Sequence, residues 1–141
     1  MKLIEILVGE PQTKIYEFMG QKVEFKTLRQ QEVNEIMIRI PRADTTMLEL
    51  EKIPTLARAI VSLNNVPVEM FEEIREIVKD KPEVSIASAM EKILGRIDSD
   101  IINLMYGLYC EFREEMFKKR EDLKNVSRNQ SAEASINSAN A

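Results

Sequence analysis

Apolar positions along this chain recur mostly at helical intervals, with a short alternating stretch near its start. Between Lys14 and Leu28, Ile15 and Phe18 precede Gly20, and Val23 and Phe25 alternate after it. With Gly20-Gln21 as the turn, this predicts a β-hairpin. A lone hairpin is marginal in water, so it must pack on something. Before it, Lys2 to Val8 is an aliphatic run closed by Gly9-Glu10-Pro11, which predicts a strand or extended arm.

From Thr27 the period changes. Thr27 and Gln30 have capping-box spacing. Val33, Ile36, Met37 and Ile40 then form an inward helical face, with Arg29, Gln31, Glu32 and Glu35 outside. Pro41 ends that helix. Thr45 and Thr46 are candidate caps for the next, which carries Met47, Leu48, Leu50, Leu56, Ala57, Ile60, Val61 and Leu63. Pro54 leaves two readings open: a helix that begins there, with Pro54 in its first turn, or two shorter helices meeting at a kink. The first is preferred for Pro54 to Leu63. Asn64-Asn65 interrupts, and Pro67 opens a helix with Val68, Phe71, Ile74, Ile77 and Val78 inward. After Pro82, the segment from Val84 to Leu94 is small and amphipathic, stopped near Gly95.

Asp98-Ser99-Asp100 caps the longest helix, about Ile101 to Lys124, which spans roughly 36 Å. Its first half is rich in core residues, and Leu56, Ile60, Leu63, Leu104, Leu108 and Phe112 are expected in one core. Its second half, from Glu111, is charge-dense, with Met116, Phe117 and Leu123 left to seek cover. Val126 to Ala141 is Ser/Asn/Ala-rich and reads as disordered on its own. The whole is an α+β chain, mostly α. An N-terminal strand and hairpin (1–28) pack on a bundle of four or five helices (29–125), followed by a disordered polar tail (126–141).

Composition narrows the function. The chain has no histidine, one cysteine and four dispersed glycines among 141 residues. Acid–base catalysis at neutral pH draws mainly on His, zinc sites on His and Cys, and phosphate cradles on clustered Gly. No cofactor or metal site is therefore expected, and an enzyme is the least favoured class. Asp98 and Asp100 read as charge complementing a helix N-terminus, and Cys110 as an inert packed thiol. Net charge is −4 with both signs interleaved, which speaks against nucleic acid as a partner. No run approaches the roughly 20 apolar residues of a membrane span, so no membrane partner is expected. Methionine serves adaptable binding surfaces as well as cores. Met70, Met116, Phe117 and Leu123 are the candidate partner-binding residues.

Three stretches together carry a resemblance. Lys22-Val23-Glu24-Phe25-Lys26-Thr27-Leu28 leads from a hairpin into a charged helix; Leu56-Ala57-Arg58-Ala59-Ile60-Val61-Ser62-Leu63-Asn64-Asn65 follows; Ile101 to Phe112 runs into a charged helix end. Over residues 14 to 124 this order resembles small proteins encoded among the tail genes of tailed bacteriophages, especially tail-assembly chaperones and baseplate-hub assembly proteins. Asn65 stands where a glycine suits the turn, and Asn tolerates positive φ. The resemblance implies a non-enzymatic factor that binds a tail or baseplate protein during morphogenesis, in the host cytoplasm. Whether it remains in the virion or self-associates stays open. The alternative is a permanent structural or adaptor subunit of the baseplate.

Overall fold

The computed structural model describes residues 11–40 and 47–139, with side chains placed over 11–40 and 49–122. The arm expected over Lys2–Val8, the caps Thr45 and Thr46, and the side chains of Met47, Leu48 and Leu123 lie outside the described residues.

Alternation after residue 12 becomes the expected hairpin. β1 (Thr13–Phe18) and β2 (Gln21–Lys26) pair antiparallel, with Phe18 opposite Gln21. The turn is therefore Met19-Gly20, one residue earlier than Gly20-Gln21. Both residues have positive φ, 51° and 76°, the backbone that two-residue hairpins favour because it matches strand twist.

α1 (Gln30–Arg39) follows. Thr27 does not cap it: its hydroxyl accepts from the Gln12 amide at 3.0 Å, and its own amide donates to the Gln12 carbonyl. Glu32 instead reaches back to accept from the Arg29 amide at 3.0 Å. α2 (Met47–Ala59) runs through Pro54 and does not begin at it. Pro54 leaves the Leu50 carbonyl without its helical donor. Leu50 is exposed, so solvent is at hand to satisfy that oxygen.

The helix expected to reach Leu63 stops at Ala59. Ile60–Leu63 is β3, antiparallel to β2 with Val23 opposite Leu63 and Phe25 opposite Ile60. Ile60 and Val61 are β-branched, and the free edge of β2 satisfies their backbone groups in a ladder that a longer helix would forgo. Asn64 and Asn65, at φ 50° and 64°, turn the chain into β4 (Val66–Pro67), so the sheet order is β1-β2-β3-β4. Pro67 closes that strand and opens no α-helix. A 3₁₀ turn (Val68–Met70) intervenes before α3 (Glu72–Val78). α4 (Ile86–Leu94) is capped by Ser85, whose hydroxyl accepts from the Ser88 amide at 3.1 Å.

α5 (Ser99–Ala139) is one helix of 41 residues, roughly 60 Å long. It continues through 126–139, where the sequence alone reads as disordered. Extending an existing helix carries no new nucleation cost, and Ala132, Ala134 and Ala139 are strong helix formers.

One core joins sheet and helices. Val23, Phe25 and Ile60 of the sheet meet Leu56, Met90, Ile102, Tyr109 and Phe112 of the helices. Phe25 lies at its centre, with ring centroids 5.9 Å from Phe112 and 5.8 Å from Tyr109. The buried stripe of α5 is Ile102, Met105, Tyr109, Phe112 and Met116. Of the six residues expected in the core, Leu56, Ile60 and Phe112 are buried, and Leu63 and Leu108 are half-buried beside it. Leu104 is 61% exposed, because it faces away from the stripe that the sheet and α2 cover. No described helix is long and apolar enough to cross a membrane.

Candidate functional site

Ion pairs set the position of α1. The Arg58 guanidinium, on α2, has a side chain only 3% exposed and donates to Glu35 of α1 at 3.0 Å and Glu91 of α4 at 2.9 Å. It also donates to the Pro54 carbonyl at 2.9 Å. Arg39, in the last turn of α1, pairs with Glu91 as well and donates to the Ser88 hydroxyl at 2.9 Å. Charged residues thus clamp α1 from its polar side onto α2 and α4, while much of its apolar face is left uncovered.

That face forms one wall of a groove of about 310 Å³, with α5 opposite and α2 and the β2–α1 link closing its ends. Ile36, Tyr109, Phe112 and Met116 make a buried floor. Above it stand Val33, Met37 and Phe117, with Met37 59% and Phe117 63% exposed. Arg113 and Arg120 mark the α5 rim, and Glu51 the α2 side. Arg113 also lies over the Tyr109 ring, 5.8 Å from its centroid.

The phenols near this site are held neutral. Burial, then the hydrogen bond to Glu51 at 2.7 Å, pushes the Tyr106 hydroxyl well above its usual range. Tyr109 is pushed up chiefly by burial. On the sheet side, burial and the Glu115 contact at 2.9 Å push Tyr16 up to about 12. Glu115 is held below the usual carboxylate range by hydrogen bonds from Lys14, at 2.8 Å, and from Tyr16.

The sequence candidates fall in different places. Met116 is in the groove floor, only 4% exposed, and Phe117 is on its wall. Met70 is exposed in the 3₁₀ turn and does not line the groove. Leu123 is on α5, with its side chain outside the described residues. Val33, Met37, Arg113 and Arg120 line the groove but are not among the residues the sequence marks for partner binding. Their signal was present in the apolar stripe of α1 and in two arginines two turns apart on α5. Nothing local says that the stripe is left half-covered.

Cys110 is free and half-buried. Asp98, Ser99 and Asp100 are exposed at the start of α5, where the Asp98 carbonyl accepts from the Ile101 and Ile102 amides at 3.1 Å. Among the described residues, no three or more Cys, Asp or Glu side chains gather as a metal site.

No family model, curated protein or solved structure matches this chain.

Proposed function

We propose that this protein is a non-enzymatic assembly factor, a phage tail or baseplate assembly chaperone that holds a tail subunit during morphogenesis. The observation that carries the reading is the groove: Met37 and Phe117 stand exposed over a buried floor of Phe112 and Met116. Open apolar troughs between two helices accept the apolar face of a third helix, anchored by side chains at i, i+3, i+4 and i+7. Methionine on both wall and floor lets the trough adapt to different anchors. The resemblance over residues 14 to 124 supplies the class of partner. The mechanism is protection: an exposed helical segment of the tail subunit is covered until the next subunit replaces this protein.

The test is capture from phage-infected cells by the tagged full chain, with the bound protein identified by mass spectrometry. A tail or baseplate protein should copurify with the wild type and be lost with Met37→Glu, Phe117→Glu. Both side chains are largely exposed, so the double variant should melt normally. Equal capture by that variant would remove the groove from the interface. Finding the protein at fixed stoichiometry in purified particles would make it a permanent subunit instead.

A further inference from the structure

We infer that the groove selects an acidic amphipathic helix, one that carries two carboxylates about two turns apart on the side facing α5. The inference rests on the reading of the groove as a docking site for a helix, and adds the chemistry of its occupant.

Charge on the rim carries it. Arg113 and Arg120 are both exposed and line the groove. Among the described residues neither is held in an ion pair. Nearby, Lys14 is engaged by Glu115, Lys26 by Glu32 and Lys118 by Glu114, while Lys119 is exposed beside Arg120 and does not line the groove. The two arginines therefore offer a local positive rim on a chain whose net charge is −4. Seven residues apart on one helix, they stand roughly 10 Å apart along α5. Carboxylates at i and i+7 of an antiparallel or parallel helix match that spacing. The guanidinium fork suits such a carboxylate better than an ammonium does.

The end closed by α2 has the other sign. Glu51 lines the α2 side, with one carboxylate oxygen already accepting from Tyr106. A carboxylate of the occupant placed there is repelled. The groove is thus positive along its α5 wall, apolar along its floor and α1 wall, and negative where α2 closes it. An amphipathic helix satisfies it with its carboxylates toward α5, its apolar face toward α1 and the floor, and a neutral or basic residue at the α2 end. Rim charges of this kind act on choice of partner and on association rate more than on total affinity.

The probe is a dye-labelled synthetic amphipathic helix of about five turns with Leu anchors and Glu at i and i+7, set beside a twin with Lys at those two positions. Fluorescence anisotropy with the full-length protein should show the Glu peptide binding about tenfold tighter than the Lys twin, with the gap narrowing as salt rises. Arg113→Glu, Arg120→Glu should reverse the preference, so that the Lys twin binds better. Both substitutions are at exposed positions, and an unchanged melting curve confirms the fold.

Equal binding of the two peptides, or a preference that the double variant does not reverse, overturns the inference. So does a failure of both peptides to bind while Met37→Glu, Phe117→Glu still abolishes capture of the tail protein; in that case the docking groove stands and the acidic helix does not. Charge-selective peptide binding with undiminished capture by the groove variant leaves the acidic-helix inference in place and removes the assembly reading. Binding that appears only in an Ile6→Glu, Leu7→Glu variant assigns the groove to the chain's own first ten residues. A dimer that Phe117→Glu dissolves assigns it to a second copy. Either result overturns the proposal.

Discussion

Arg58 shows how a single buried charge can organise three helices. Its side chain is almost wholly removed from water, and two carboxylates and a backbone carbonyl take its donors. Arg58→Ala leaves Glu91 facing Arg39 alone and unties α1 from α2, so it should cost about 3 kcal/mol in urea denaturation. Glu35 is half-exposed, and Glu35→Gln should cost less than about 1 kcal/mol. Tyr16 gives a pH signature. Its folded pKa is raised to about 12, while an unfolded tyrosine titrates near 10. The raised value means that its contribution is complete below about pH 10 and is lost as pH climbs from 10 toward 12. Tyr106 and Tyr109 are raised in the same direction and add to the same alkaline window. Melting temperature should fall across that window, and Tyr16→Phe should flatten the fall without removing it. Tyrosinate absorbance followed in parallel assigns the change. Glu115 works with the opposite sign: its folded pKa is lowered, so its contribution is present above the ordinary Glu value and fades in acid.

At the scale of elements, the two hairpin turns carry the strain. Met19 is a bulky residue in the left-handed region, φ 51°, and 66% exposed, so nothing in the core requires it. Met19→Asn places Asn-Gly in a primed turn and should stabilise the fold by about 0.5–1 kcal/mol. The second turn already has residues suited to it. The Asn64 side-chain oxygen accepts from the Lys22 backbone amide at 2.9 Å, and the Asn64 backbone amide donates to the Lys22 carbonyl at 2.8 Å, extending the β2–β3 ladder by one residue. Asn65→Val puts a β-branched side chain at φ 64° and should cost about 1–2 kcal/mol, whereas Asn65→Gly should change little. Equilibrium denaturation of the three variants measures these differences. Equal stability of Asn65→Val and Asn65→Gly would contradict the turn geometry.

For the whole molecule, the telling contrast lies along α5. From Ile102 to Met116 it supplies the stripe that closes the core, and Phe117 and Arg120 then line the groove. Beyond that the helix continues to Ala139 through a polar segment. Truncation after Asn125 should shift the melting temperature by only a few degrees, because the core stripe ends before it. It should also remove the helical circular-dichroism signal of residues 126–139. Hydrogen exchange on the intact protein checks the same point: amides of 126–139 should exchange far faster than those of Met105 to Met116. Equal protection along the whole helix would show that the last turns pack on something.

Local signals sufficed wherever one element's own chemistry decides its structure. Alternation about Gly20 placed the first hairpin, Gly95 ended α4, and the apolar stripe after Asp98 placed α5. They also sufficed for the fold class, α+β and mostly helical, since the period of apolar residues changes once near Thr27. Tertiary structure decided the rest. Ile60–Leu63 has apolar residues compatible with helix or strand, and the open edge of β2 chose strand. Leu104 and Met105 are both apolar but face different sides of α5, and the side that the core covers buried Met105 and left Leu104 exposed. Val33 and Met37 sit on a face that periodicity marks as inward, yet α5 packs on α2 and the sheet and not closely on α1, which leaves that face a groove wall. Periodicity states which side of a helix is apolar; only the arrangement of its neighbours determines how much of that side is covered, and an uncovered part is where binding becomes available.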